Sequence, residues 1–327
     1  MNDARARLRY LDETIDLLFP GPGAPRPYTL LPHRLLPRRL VPRAWWHPGG
    51  RLIVPSGQDG IENHLSEVFD TPVRVTLRVR PALRANRKPI LEARGPDGPI
   101  AFVKVGDTEL TRELVAHEAR TLDLLAGVPL KTVVPPAVLH HGSWRGLSVL
   151  ALTPLPVRRG RIPRGVLTDA IAEIARIPAE PVPDRAPPGN LPDPADHAFG
   201  GSTQAAGRGF AWHGDLTPWN ISRGPDGRLL VWDWERFGTG VPLGFDAVHH
   251  FFQRALRRDD PATAARACVA RALRVLAPFG LSASESRLTA IRYLIALADR
   301  HTADGHAPLG PPELWLSPVV DPQETLL

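Results

Sequence analysis

Apolar residues recur at two spacings in two separate stretches of this chain, and that separation restricts the architecture more than any single residue does. Between about 73 and 105 the spacing is two. Val73, Val75, Leu77 and Val79 alternate with Arg74, Thr76, Arg78 and Arg80, the pattern of a half-buried strand. Two further runs, Pro89 to Ala93 and Ile100 to Val105, flank Gly95-Pro-Asp-Gly98, whose residues favour a tight reversal. A meander of at least three strands follows from this. Residues 109 to 126 then read as a helix, with extended segments near 133 to 139 and 147 to 153. From 243 onward the spacing is helical, over roughly 244 to 257, 261 to 277 and 283 to 303. Strands first and helices last specify an α+β chain with a sheet-bearing part followed by a mainly helical one.

Proline marks what lies between. A short helical pattern, Leu8, Leu11, Ile15 and Leu18, stops at Pro20-Gly-Pro-Gly23. From Pro25 to Pro55 prolines recur among Leu and Arg, which suits an extended strap, either an arm for a partner or, the favoured reading, a segment packed on the main body. After Pro154 the chain is broken again, with one helix near 166 to 177 and an irregular stretch from 178 to 208. The expected organisation is an extension over 1–72, a first lobe over 73–153, a second over 154–305 and a tail over 306–327.

Charge and cysteine content narrow the classes. The formal net charge is +6, carried almost wholly by arginine, and Lys88, Lys104 and Lys131 are the only lysines. A basic surface serves nucleic acid or a small anionic ligand, but no nucleic-acid-binding motif accompanies it, so a nucleic-acid partner is the weaker expectation. The single cysteine, Cys268, excludes an intrachain disulfide and a thiolate metal site. The amino terminus has no apolar leader pattern and no stretch reads as a membrane span, so a cytoplasmic protein with no membrane partner is expected.

The segment richest in chemistry is His213-Gly-Asp-Leu-Thr-Pro-Trp-Asn220, followed by Val231-Trp-Asp-Trp-Glu235. Ile221 to Arg223 and Leu229 to Trp232 flank Gly224-Pro-Asp-Gly227 as a hairpin, which places Asn220 roughly opposite Asp233. One amide and one carboxylate then converge. A divalent ion bridging phosphates needs such hard oxygen ligands, few in number. Asp215 lies where it can face the same space as a proton acceptor.

This spacing is that of the protein-kinase-like phosphotransferases. His-Gly-Asp-Leu-x-Pro-x-Asn with a downstream Asp-Trp-Glu resembles the aminoglycoside phosphotransferase and choline kinase-like family. The resemblance implies a two-lobed protein-kinase-like fold, a small antiparallel-sheet lobe plus a mainly helical one. It also implies a strand lysine paired with a helix glutamate. Lys104 ends the apolar run Ile100-Ala-Phe-Val-Lys-Val105, and Glu118 falls near the centre of a helical stripe of Leu110, Leu114, Leu122 and Leu125. A carboxylate in such a stripe needs a partner, and Lys104 is the available cation; the alternative leaves Glu118 as a solvated charge at the stripe's rim.

By the same resemblance Lys104 holds the α/β-phosphates of ATP (or GTP), Glu118 orients Lys104, Asn220 and Asp233 hold Mg²⁺, and Asp215 takes the acceptor proton. His213 braces the loop, Asp246 hydrogen-bonds the loop backbone, and Leu150 to Leu155 connect the lobes. Glu235 is a further ion ligand or a structural salt bridge. Trp219, Trp232 and Trp234, like His140, His141, His249 and His250, read as packing or loop residues rather than ligands.

Two departures shape the expectation. The turn Pro81-Ala-Leu-Arg-Ala-Asn-Arg-Lys88 contains no glycine, so Arg84, Asn86 or Arg87 either reach the phosphates with side chains or lie in solvent. Proline also interrupts the region before His213, where the family shapes its acceptor site. Because Asp246, Asp259 and Asp260 supply only scattered negative charge, a sugar or another small hydroxylated acceptor is favoured over a polycationic aminoglycoside. The expected function is transfer of a γ-phosphate to that hydroxyl; the alternative is a pseudokinase or regulatory binding module of the same fold. The oligomeric state is left open.

Overall fold

The computed structural model describes residues 2–33, 36–47, 51–79, 86–158, 160–178, 209–305, 309–317 and 319. They divide into two compact units, Met1–Gly127 with Pro135–Pro156, and Val128–Val134 with Val157–Leu327.

The chain begins with α1 (Asn2–Leu18), β1 (Ala24–His33), β2 (Leu36–Pro42), β3 (Arg51–Ser56), α2 (Ile61–Phe69), β4 (Arg74–Arg78), β5 (Ile90–Gly95), β6 (Gly98–Gly106) and α3 (Glu109–Ala126). After β7 (Val133–Val134), a strand of the second unit, β8 (Val138–Trp144) and β9 (Leu147–Leu152) complete the first. Its eight strands form one sheet in the order β3-β1-β2-β4-β5-β6-β9-β8, every neighbouring pair antiparallel. Val75, Leu77, Leu91, Val103, Val105 and Val149 are buried in its core, as the alternation requires.

The proline-rich segment differs from the expected strap, because it supplies three strands of this sheet. Proline is tolerated there for a local reason. Over residues 24–26, β1 has β3 beside it on one side only; Pro25 and Pro27 share a parity, and Pro27 O accepts from Arg43 N at 3.0 Å, so both missing donors fall on the side away from β3. Pro55 lies on β3, an edge strand.

The short helix α2 was not anticipated, although Ile61 and Leu65 are spaced to share one buried face. It places Glu62 in the interior as a common acceptor. Tyr28 Oη donates to Glu62 at 2.6 Å, Arg26 Nη1 at 2.9 Å, Val75 N at 2.9 Å and Arg74 Nε at 3.1 Å. Burial first, and the Glu62 charge second, push the Tyr28 hydroxyl far above its ordinary value. α1 is fastened as well: Leu11 and Leu18 join the core, and Arg7 Nη1 donates to Val79 O at 3.1 Å.

The second unit continues with α4 (Arg164–Ala175), β10 (Phe210–Trp212), β11 (Ile221–Arg223), β12 (Leu229–Val231) and β13 (Gly238–Val241). Then come α5 (Phe245–Ala255), α6 (Pro261–Ala270), α7 (Ala272–Leu276) and α8 (Ala283–Ala303). β11 and β12 form the expected hairpin, β7 runs parallel to β12, and β10 pairs with β13. Asp260 caps α6, and Ser282 with Glu285 forms a capping box on α8. The helix expected over 261–277 is interrupted at Arg271 (φ −110°, ψ 7°), and α6 and α7 follow one another across that break. Nearly all of the irregular stretch 178–208, residues 81–85 of the glycine-free turn and most of the tail lie outside the described residues. Among the described residues no helix is long and apolar enough to cross a membrane.

Candidate active site

In the first unit, Lys104 sits on β6 with Ile90 of β5 and Leu150 of β9 opposite it on either side. α3 begins where Thr108 and Thr111 cap it reciprocally. Leu114, Glu118, Leu122 and Leu125 all fall on its buried face, while Glu109, Arg112, Glu113 and Arg120 are exposed, as the spacing requires. Glu118 Oε1 and Oε2 accept from Lys104 Nζ at 2.7 and 2.5 Å, and both side chains are buried. The pair contributes little net stability because both charges leave water, but either partner alone would be costly. The geometry anchors an ammonium group at a fixed point on a rigid strand. Arg87 does neither of the two things expected of it. Its guanidinium lies 5.2 Å over the Tyr10 ring and donates to Glu13 at 3.0 Å, which fastens α1. Arg84 lies outside the described residues.

In the second unit, residues 213–220 connect β10 to β11 as a loop held from several directions. Gly214 has φ 78°, and a Cβ there would meet Arg236 O at 2.0 Å, so no other residue fits without moving backbone. Asp246, in the first turn of α5, accepts from His213 N at 2.7 Å and Gly214 N at 3.3 Å. Arg300 Nη1 of α8 donates to Gly214 O at 2.6 Å, and His250 Nδ1 lies 3.1 Å from Leu216 O. His213 is fully buried, its ring 4.5 Å from that of Trp234, and its Nδ1 accepts from Asp215 N at 3.1 Å. Accepting at Nδ1 leaves the proton of the neutral ring on Nε2.

Asp215 emerges from this frame. Its side chain keeps 32% exposure, while that of His249 beside it keeps none. Asn220 Nδ2 donates to Asp215 Oδ2 at 2.9 Å and to its backbone O at 3.0 Å. His249 Nε2 lies 3.1 Å from Asp215 Oδ1, and His249 Nδ1 lies 2.9 Å from Tyr293 Oη.

The hairpin ladder sets Ile221 opposite Val231, and Trp232 N donates to Asn220 O at 3.1 Å. Asn220 therefore faces Trp232 rather than Asp233, one position from the expected register. Asp233 follows directly with φ 74°, a left-handed conformation that costs a non-glycine residue about 1–2 kcal/mol. Glu235 is buried nearby in sequence, and Trp234 is a packing residue whose Nε1 donates to Val231 O at 2.9 Å.

Burial dominates the electrostatics here. It lowers His213 to about 4 against the opposing pull of Asp215 and Asp233, and His250 also to about 4. It raises the Asp246 carboxyl to about 7, even though the His213 and Gly214 amides favour its ionised form. His249 is lowered and Tyr293 raised, again by burial first. Burial thus holds His213, His249 and His250 toward the neutral form.

The expected loop brace, Asp246, is where the resemblance implied. Three residues that also hold the loop, His249, His250 and Arg300, were not anticipated in that role. One signal was available: His249 stands three positions after Asp246 on a helix, so the two share a face.

No family model matches the chain, and no curated protein matches it in sequence. Solved structures do. A putative fructosamine-3-kinase from Haemophilus somnus 129PT is matched over 80% of this chain and 96% of that chain, at 14% identity and a TM-score of 0.50. The streptomycin–ATP complex of APH(2'')-IIa is matched over 77% of this chain and 96% of that chain, at 13% identity and a TM-score of 0.43. Monomeric WbdD is matched over 60% of this chain and 45% of that chain, at 17% identity and a TM-score of 0.34. The first likeness establishes the architecture: the chain has the protein-kinase-like α+β fold, with an antiparallel sheet in one unit and a mainly helical second unit.

Proposed function

We propose that the protein is a small-molecule phosphotransferase that moves the γ-phosphoryl group of ATP or GTP to a hydroxyl of a sugar-like or other small acceptor. The observation that carries this reading is Asp215: the loop around it is fixed by Asp246, Arg300 and His250, and its own carboxylate stays accessible. A carboxylate so held is suited to accept or orient the proton of an attacking hydroxyl. The name of the structural neighbour matched at a TM-score of 0.50, a putative fructosamine-3-kinase, points to the same class of acceptor.

Lys104, held in place by Glu118, is assigned to the α- and β-phosphates. The donor set fits a magnesium ion. Asn220 commits its amide nitrogen to Asp215, which leaves a carbonyl oxygen, and Asp233 adds a carboxylate, both hard ligands of the kind Mg²⁺ selects. When bound, that ion would neutralise charge on the transferring phosphates. Catalysis in this scheme is positioning plus charge stabilisation, with Asp215 the one group that handles a proton.

Calorimetric titration with ATP and GTP, with and without Mg²⁺, tests the nucleotide assignment; binding should require Mg²⁺ and be lost in Asp233→Ala. A panel of hydroxylated acceptors tests transfer, and Asp215→Ala should lower it by about 10²–10⁴-fold while nucleotide affinity is kept. Equal turnover in that variant would defeat the assignment. Mg-dependent binding with no turnover on any acceptor would favour a regulatory module of the same fold.

A further inference from the structure

The two oxygens of the Asp215 carboxylate are met by donors from different elements. Asn220 Nδ2, in the loop itself, reaches Oδ2 at 2.9 Å, and His249 Nε2, on α5, lies 3.1 Å from Oδ1. Behind His249 stands Tyr293 of α8, its hydroxyl 2.9 Å from Nδ1. The Tyr293 ring also meets the imidazole edge-on, with centroids 5.8 Å apart, and both residues are fully buried.

Chemistry fixes the direction of this chain. An ionised carboxylate only accepts, so His249 Nε2 carries the proton; the lone pair of the neutral ring is then on Nδ1, and the Tyr293 O–H donates to it. The order is Tyr293 to His249 to Asp215, every hydrogen in place and no charge added. Burial first, and the nearby Arg300 last, disfavour the imidazolium form against the opposing pull of Asp215, so His249 meets Asp215 as a neutral donor.

We infer that His249, oriented by Tyr293, is a positioning residue that sets the angle of the Asp215 carboxylate for proton acceptance, an inference that rests on the phosphoryl-transfer reading above. A carboxylate has about four lone-pair sites. Two are taken by donors on its inner side, which turns the remainder toward the accessible side, where an acceptor hydroxyl can approach. Without His249, one oxygen loses its anchor and the carboxylate is free to rotate about its last torsion, so fewer encounters are productive. His249 touches neither nucleotide nor acceptor in this scheme, being wholly enclosed.

The test uses the full chain and Mg-ATP, with hydrolysis to inorganic phosphate, water being the acceptor, as the kinetic readout. His249→Leu removes the donor, His249→Gln restores an amide N–H near the former Nε2, and Tyr293→Phe keeps the ring but removes the orienting hydroxyl. A hydrogen bond to a charged group corresponds to about a 10- to 150-fold change in rate. His249→Leu should lower kcat by that factor with KM for Mg-ATP within twofold. His249→Gln should recover to within about fivefold of wild type, and Tyr293→Phe should lie between. If His249→Leu does not fold, Tyr293→Phe and the spectrum decide. Imidazole ¹⁵N NMR of the wild type should show His249 as the neutral Nε2–H tautomer, its Nε2–H resonance shifted in Asp215→Ala.

An Nδ1–H tautomer, an Nε2–H signal indifferent to Asp215→Ala, unchanged kcat in His249→Leu, or a Gln variant as impaired as the Leu variant would each overturn the role of His249 and leave the phosphotransferase reading standing. Wild-type protein that neither binds Mg-ATP nor turns over any acceptor would overturn both.

Discussion

Asp246 makes the stability of the second unit depend on pH in a way that can be isolated. Its carboxyl is fully buried and raised from 3.8 to about 7, chiefly by burial. In the unfolded chain it ionises near the ordinary value. Between about pH 4 and pH 7 the folded protein therefore binds a proton that the unfolded chain has released, and stability falls as pH rises through that window. At about 1.36 kcal/mol per pH unit the whole window is worth on the order of 4 kcal/mol, and the part from pH 5.5 to 7.5 about 2 kcal/mol. His213 and His250 slope the other way. Both are held near 4 against an ordinary 6.5, so their contribution is lost as pH falls from 6.5 toward 4.

Asp246→Asn removes one titration and leaves the histidines. Asparagine can still accept from His213 N with its carbonyl oxygen, but it offers no second acceptor to Gly214 N, an offset of about 1 kcal/mol at every pH. The stability difference between variant and wild type should then move by about 2 kcal/mol in favour of the variant between pH 5.5 and 7.5. Urea unfolding followed by the fluorescence of Trp212 and Trp234 measures it in the right unit. A difference flat with pH over this range would refute the claim and would mean that the two amides outweigh burial, the carboxyl then being ionised in both states throughout.

Three further experiments probe the two units separately. Glu118→Ala should cost about 3–5 kcal/mol in thermal unfolding by stranding a buried ammonium, whereas Lys104→Met with Glu118→Leu should recover most of it; a double variant no better than the single would contradict the buried pair. Glu62→Leu removes the acceptor shared by Tyr28, Arg26, Arg74 and Val75, and should lower first-unit stability by about 2–4 kcal/mol. A loss under 1 kcal/mol would mean those donors find other partners. Gly214→Ala and Gly280→Ala share a positive φ of 78° and 77°, but only the first meets backbone, so Gly280→Ala should cost about 1 kcal/mol and Gly214→Ala several times more. Equal melting temperatures for the two would remove the steric argument.

Local signals account for what was readable in advance. β4 to β6 and α3 were legible because alternation and a helical stripe are properties of adjacent residues, and Lys104 with Glu118 stood out as charges inside apolar patterns. The loop of Asp215 was legible from residue types at fixed spacing. The strands β1 to β3 were obscured by proline, which reads as irregular chain until one knows which side of a strand is open. Arg87 looked like a loop cation because its partners, Tyr10 and Glu13, are far away in sequence. His249 was hidden for the same reason: its spacing from Asp246 is local, but its contacts with Asp215 and Tyr293 join three separate elements. The break at Arg271 carries no glycine or proline and left no local mark.

The place of β2 in the sheet decides where this protein can be cut. Because the order runs β3-β1-β2-β4, the strand that shields β4 comes from residues 36–42. A clone trimmed to start near residue 73, where the kinase-like pattern begins, would lose both β2, which pairs with Leu77 and Arg78, and Glu62, which accepts from Val75 N, and so would leave β4 as an unguarded margin. Such a fragment would invite other copies to dock strand against strand and would be recovered as aggregate. For expression, grafting or directed evolution, the smallest workable piece therefore starts at the first helix.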